Sequence, residues 1–165
     1  MSVHEYELFH GIVLTKIVRS DRPITLRMIE TRPSDEWSVY TLNDQIELFI
    51  KYTTAQRSNA RDSGGKTWSF GFSLDQVTKI AKLKQTKDLY IALVCGGVNI
   101  KKDEMQVCLL LPEEIEEIFN LQEPQNRSIT LKSIPSQQYT LFVDRKEWRR
   151  KIPRNRLDNW EVPGS

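Results

Sequence analysis

The sequence predicts an α+β domain in which three helices pack on a mixed, mostly antiparallel sheet. Three observations predict it. Apolar residues recur at helical spacing in three separated stretches, whereas most other apolar runs alternate with the two-residue rhythm of a half-buried strand. Tight-turn residues stand between successive alternating runs and join them as hairpins. One run, "LYIALVC" from Leu89, is apolar almost throughout, the pattern of a central strand covered on both faces.

Each element follows from local chemistry. Ser2 with Glu5 three residues later makes a capping box, and Val3, Tyr6, Phe9, Val13 and Ile17 then mark one helical face until "RSDRP" interrupts it. "ITLRMIE" from Ile24 alternates as a strand. After a turn at Pro33-Ser34, "EWSVYTLNDQIELFIKY" reads as a hairpin, because Asn43-Asp44 tolerates the positive φ of a tight turn. Placing Leu42 opposite Gln45 puts Trp37, Val39 and Thr41 on a core face with Ile46, Leu48 and Ile50. The other face then carries Tyr40, Glu47, Phe49 and Lys51, with Glu36 across from Lys51.

"TAQRSNARDSGGKT" reads as a polar loop longer than the usual connection of about 4–6 residues, and it carries Arg57, Arg61 and Lys66. "WSFGFS" follows as a strand with Trp68, Phe70 and Phe72 on one side, more in keeping with core than with a base-stacking platform. Ser73 caps a helix "LDQVTKIAKLK" whose apolar side is Leu74, Val77, Ile80, Ala81 and Leu83. Beyond "LYIALVC", the turn "KKDE" leads to a strand "MQVCLLL", and Pro112 starts an acidic helix "PEEIEEIFNL". "SITLKSI" and "QQYTLFV" form a last hairpin around Pro135-Ser136. Residues 1–143 thus read as a single α+β domain and 144–165 as a basic, Trp-containing C-terminal segment.

Composition narrows the function classes. A chain of 165 residues with 39% hydrophobic content can bury a core, and its net charge of +2 is not globally basic, so any electrostatic signal must come from clustering. The longest uncharged apolar run, "LYIALVCGGVNI", is shorter than the roughly 20 residues of a spanning helix, and the acidic "MSVHEYELFH" lacks the basic start of an export signal. A soluble, cytoplasmic protein without a membrane partner is expected. Cys95 and Cys108 lie in apolar runs and read as reduced, buried thiols rather than zinc ligands or a disulfide. His4 and His10 do not share a helix face, so neither a triad nor a metal site is built on them. No phosphate-binding glycine motif or nucleophile elbow is present; Gly64-Gly65 and Gly96-Gly97 read as turns, and no cofactor is implied.

The strongest charge signal is "DRKEWRRKIPRNRLDNW". Between Arg145 and Arg156 it sets Arg145, Lys146, Arg149, Arg150, Lys151, Arg154 and Arg156 against one Glu, with Trp148 and Trp160 as flat apolar faces. Clustered guanidinium and ammonium groups neutralise phosphates, and aromatic rings stack on bases. The competing reading is a solvated end that pairs with Glu113, Glu114, Glu116 and Glu117, each exposed pair contributing about 0–1 kcal/mol.

A second layout carries possible chemistry. "PSDEWSVYTLNDQIELFIKY" puts Asp35 or Glu36 at the start of one hairpin strand and Lys51 at the end of its partner, with Glu30 closing the preceding strand. Two carboxylates there would hold Mg²⁺, and a Lys would orient the attacking water or steady a phosphate. In this layout and in the order of its elements, the chain resembles the restriction-endonuclease-like superfamily, known by a Pro-Asp...(Asp/Glu)-x-Lys signature. The resemblance covers about residues 1–95 and is degenerate: Phe49 stands where the family has an acid, Ser34 replaces the Pro, and Glu47 lies about 7 Å further along the strand.

The expected function is binding of nucleic acid, DNA or RNA, through the basic terminus and the Arg57–Lys66 loop, on a nuclease-like scaffold without a complete catalytic site. One alternative is a protein-interaction module whose basic end docks on an acidic protein surface. A second is an active Mg²⁺-dependent nuclease using Asp35, Glu36, Lys51 and Glu30.

Overall fold

The computed structural model describes residues 4–19, 22–58, 64–97, 105–144 and 148–164. The chain forms α1 (Glu5–Val18), β1 (Leu26–Arg32), a 3-10 turn (Pro33–Asp35), β2 (Trp37–Leu42), β3 (Ile46–Thr53), β4 (Gln56–Ser58) and β5 (Lys66–Phe72). It continues with α2 (Leu74–Thr86), β6 (Asp88–Cys95), β7 (Gln106–Leu110), α3 (Pro112–Ile118), β8 (Arg127–Ser133), β9 (Tyr139–Val143), β10 (Trp148–Ile152) and a 3-10 turn (Leu157–Asn159).

This is the expected α+β class with its three helices, but the strands divide between two sheets. Sheet I has the order β1-β2-β3-β6-β7, and sheet II the order β10-β9-β8-β5-β4. Only β3 and β6 run parallel among the described pairs. A parallel pair needs a crossover, and here the crossover contains β4, β5 and α2. One core lies between the sheets, joining Val39, Phe49, Ile91 and Leu93 of sheet I to Trp68, Phe70, Phe72, Leu131 and Leu141 of sheet II, with Val77, Ile80, Ile115 and Phe119 from α2 and the α3 region. The other face of sheet I buries Tyr40, Leu48, Ile50 and Val94 against Phe9, Val13 and Ile17 of α1. β6 is therefore covered on both faces, as its unbroken apolar run predicts.

The β2–β3 register departs from expectation. Leu42 pairs with Ile46, not Gln45, so the turn holds Asn43, Asp44 and Gln45, the first two at φ 53° and 54°. Asn43 is tied to the start of β1: its N–H donates to the Thr25 carbonyl and its Oδ1 accepts from the Thr25 N–H, both at 2.9 Å. The one-residue shift moves every β3 side chain to the other face relative to β2. Trp37, Val39, Thr41, Glu47, Phe49 and Lys51 share the face toward sheet II; Tyr40, Leu42, Ile46, Leu48 and Ile50 face α1. Trp37, rather than Glu36, lies opposite Lys51. Because sheet I is buried on both sides, the apolar pattern fits either register and only the turn decides.

Other boundaries also move. Ser2 and Val3 lie outside the described residues, and α1 is capped two residues later, where the His4 N–H donates to Glu7 at 2.8 Å. The expected polar loop contains the edge strand β4, paired with β5. The C-terminal segment is built into the fold. β10 pairs with β9, Leu157 and Val162 are buried on the α1 side, and Trp160 packs on Tyr90 with ring centroids 4.8 Å apart.

Candidate nucleic-acid interface

The outward face of sheet II is set by strand alternation. Trp68, Phe70 and Phe72 point into the core, so Thr67, Ser69 and Gly71 point out. The same phase applies across the sheet. Registers align Arg57, Thr67, Lys132, Thr140 and Lys151 in one row from edge to edge, and Ser69, Thr130, Phe142 and Arg149 in the next, with Gly71 beside Ser128. Strands about 4.8 Å apart make the first row roughly 19 Å long. No outward strand position on this face is acidic. Arg57, Arg149 and Lys151 are exposed, and the helices pack elsewhere, α1 on sheet I and α2 and α3 between the sheets.

The remaining predicted basic residues have other positions. Arg150 is turned toward α3, 2.5 Å from Glu117 and 3.5 Å from Glu114, and the Glu117 hydrogen bond raises its pKa. Arg154 donates to the Gln137 and Ile134 carbonyls and to Gln106, and its guanidinium lies over the Tyr139 ring. Arg156 reaches the buried Glu114 at 2.5 Å and the Leu109 carbonyl at 2.9 Å. Both hold the terminal segment in place. Lys66 pairs with Ser58 and Ser133, one residue out of phase with Arg57, and so is off the outward row. Arg61, Arg145, Lys146 and the side chain of Trp148 lie outside the described residues; the Trp148 backbone pairs with Val143. Arg57, Arg149 and Lys151 thus meet on one face, joined by Lys132 and Phe142, which sequence reading missed. The signal was available: both are out of phase with the apolar residues of "SITLKSI" and "QQYTLFV".

The residues of the nuclease-like layout gather elsewhere, around a cleft of about 460 Å³ lined by Glu30, Arg32, Asp35, Trp37, Asp75, Gln76 and Lys79 among others. Glu30 is gripped by Lys79 at 2.8 Å and Arg32 at 3.0 Å, and the Lys79 bond leads in lowering its pKa. The Lys51 ammonium donates to the Asp35 carbonyl at 3.3 Å and to Gln76 Oε1 at 2.9 Å, and lies 5.1 Å from the centre of the Phe72 ring. Burial lowers its pKa, opposed by the charges of Glu36 and Asp35. Glu36 has a left-handed backbone, φ 63°, and burial raises its carboxyl pKa.

The acid-x-Lys half of the family's signature is not formed here. Phe49, at the position of the family's acid, is fully buried and stacks on Trp37 at 5.0 Å. Glu47 is occupied by a 3.0 Å hydrogen bond from Thr41. Among the described residues no group of three or more His, Cys, Asp or Glu side chains could hold a metal ion.

Two further titratable sites lie inside the fold. His10 Nδ1 is 3.0 Å from Ser38 Oγ, which is 2.8 Å from Thr31 Oγ1, while Nε2 is buried without a partner. Burial pushes the imidazole down to about 4, so it is neutral at pH 7. Cys95 and Cys108 are free and fully buried, and burial raises both thiols, which leaves them protonated and unreactive. Compared with known proteins, the chain matches no family model, no curated protein and no solved structure.

Proposed function

We propose that the protein binds nucleic acid on the outward face of sheet II. The observation that carries this reading is the edge-to-edge row Arg57, Thr67, Lys132, Thr140 and Lys151, with Arg149 one row away and no carboxylate at the outward strand positions. A polyanion meets the exposed Arg57, Arg149 and Lys151 there, whereas Arg150, Arg154 and Arg156 are committed to Glu117, Glu114 and backbone carbonyls. The nuclease-like scaffold has support of a coarser kind. In sheet I, a helix, a three-strand antiparallel meander and a strand parallel to the third follow in the order that the resemblance implies.

Binding of labelled oligonucleotides, followed by anisotropy at two salt concentrations, tests the reading. Four phosphate contacts on a single strand give a salt slope near −3, so a fourfold rise in salt weakens binding by about 50-fold. Replacing Arg57, Arg149 and Lys151 by Gln leaves about one contact and a slope near −1. An unchanged slope in a variant that keeps its thermal transition rules the face out. Binding of labelled poly-glutamate without binding of any oligonucleotide would point instead to an acidic protein partner. Cleavage is not part of this reading, because Phe49 stands where the signature has an acid and Glu30 is ion-paired to Lys79 and Arg32; Mg²⁺-dependent turnover abolished by Lys51→Ala would overturn that.

A further inference from the structure

Resting on that reading, we infer that the ligand is single-stranded and that one of its bases stacks on Phe142. Among the described residues, Phe142 is the one aromatic at an outward strand position of sheet II, placed between Thr130 of β8 and Arg149 of β10 in the second row. Its side chain is half-buried, and its neighbours at the outward strand positions are Thr130, Ser128, Ser69, Gly71 and Arg149. Its surroundings leave room for a flat ring. Ser69, Gly71 and Ser128 are small and exposed, and a Cβ added at Gly71 would meet nothing within 4 Å.

The two rows divide the work. Phosphates follow Arg57, Lys132 and Lys151, while bases turn toward Phe142 two residues along, about 6.7 Å away. Arg149, directly opposite Phe142, can cover the same base from its other side or take the next phosphate. A duplex fits this face poorly. Its bases are stacked on each other, and its major groove, about 12 Å wide, admits a helix or a two-stranded ribbon but not a five-stranded face roughly 19 Å across.

The test compares an oligothymidylate, an abasic strand of equal length and a blunt duplex, each with wild type, Phe142→Leu and Phe142→Trp. The expected result is tighter binding of the thymidylate than of either other probe, a loss of about tenfold on the thymidylate alone for Phe142→Leu, and retention by Phe142→Trp with quenching of the new indole. Retention by the Trp variant separates stacking from a folding defect. Salt-sensitive binding that is equal for thymidylate and abasic strands, or indifferent to Phe142→Leu, overturns the stacking and leaves the cationic face standing. Duplex binding as tight as single-strand binding overturns the strand preference, and absence of binding to all three overturns both this inference and the reading beneath it.

Discussion

His10 shows how one buried side chain makes stability depend on pH. Its ring projects from the buried side of α1 between Tyr6 and Tyr52, bonded to Ser38, with Nε2 unpaired. With the folded pKa near 4 and the unfolded value at 6.5, the unfolded chain binds more protons between these limits, so stability falls as pH drops through the window. The expected loss from pH 7 to pH 5 is about 2 kcal/mol, read from urea midpoints. His10→Asn, which does not titrate, should flatten that limb while lowering stability at pH 7. An equally steep limb in the variant would assign the loss to other groups.

At the scale of elements, the β2–β3 turn decides what sheet I presents to each side. Asn43 holds φ 53° and exchanges two hydrogen bonds with Thr25. Asn43→Ala keeps the unfavourable left-handed backbone and loses the side-chain bond, for an expected cost of about 2 kcal/mol, whereas Asn43→Gly relieves the strain and costs less. Denaturant titration of the two variants checks the order. The same turn marks how far the sequence could be read. Elements with one polar face were legible: the alternation at Trp68, Phe70 and Phe72, the Ser73 cap, which accepts from the Gln76 N–H at 3.3 Å, and Pro112 at the start of α3. β2 and β3 were legible as strands but not in register, since both faces are apolar. The division into two sheets was hidden because β5 finds its partner β8 only after α2, β6, β7 and α3 have intervened. The candidate interface was half legible for a related reason. Basic residues could be counted, but which ones were spent on Glu114 and Glu117 depended on α3 lying against β10.

At the scale of the whole molecule, the terminal segment is structure before it is interface. A chain ending at residue 144 loses β10 with Ile152, the buried Leu157 and Val162, and the Arg156 partner of Glu114, a carboxylate only 2% exposed. Three buried apolar side chains at about 1.5–3 kcal/mol each, plus roughly 3–5 kcal/mol for stranding a buried charge, approach the whole stability of about 5–15 kcal/mol of a typical domain. The expected outcome is loss of the cooperative thermal transition, so point changes at Arg149 and Lys151, not truncation, are the fair probe of binding. A truncated chain that melts as sharply as the intact one would contradict this.

The alternation of the chain between sheets also has a bearing on synthesis. β4 and β5 are made early, but β8, the neighbour of β5, is complete only at Ser133, several seconds later at a ribosomal rate of about 5–20 residues per second. Through that interval β5 has one bare edge, and nascent sheet I, α2 and α3 are what can shelter its aromatic side. The cationic row joins position 57 to position 151. It therefore does not exist on the growing chain, which emerges beside ribosomal RNA with that row still unassembled.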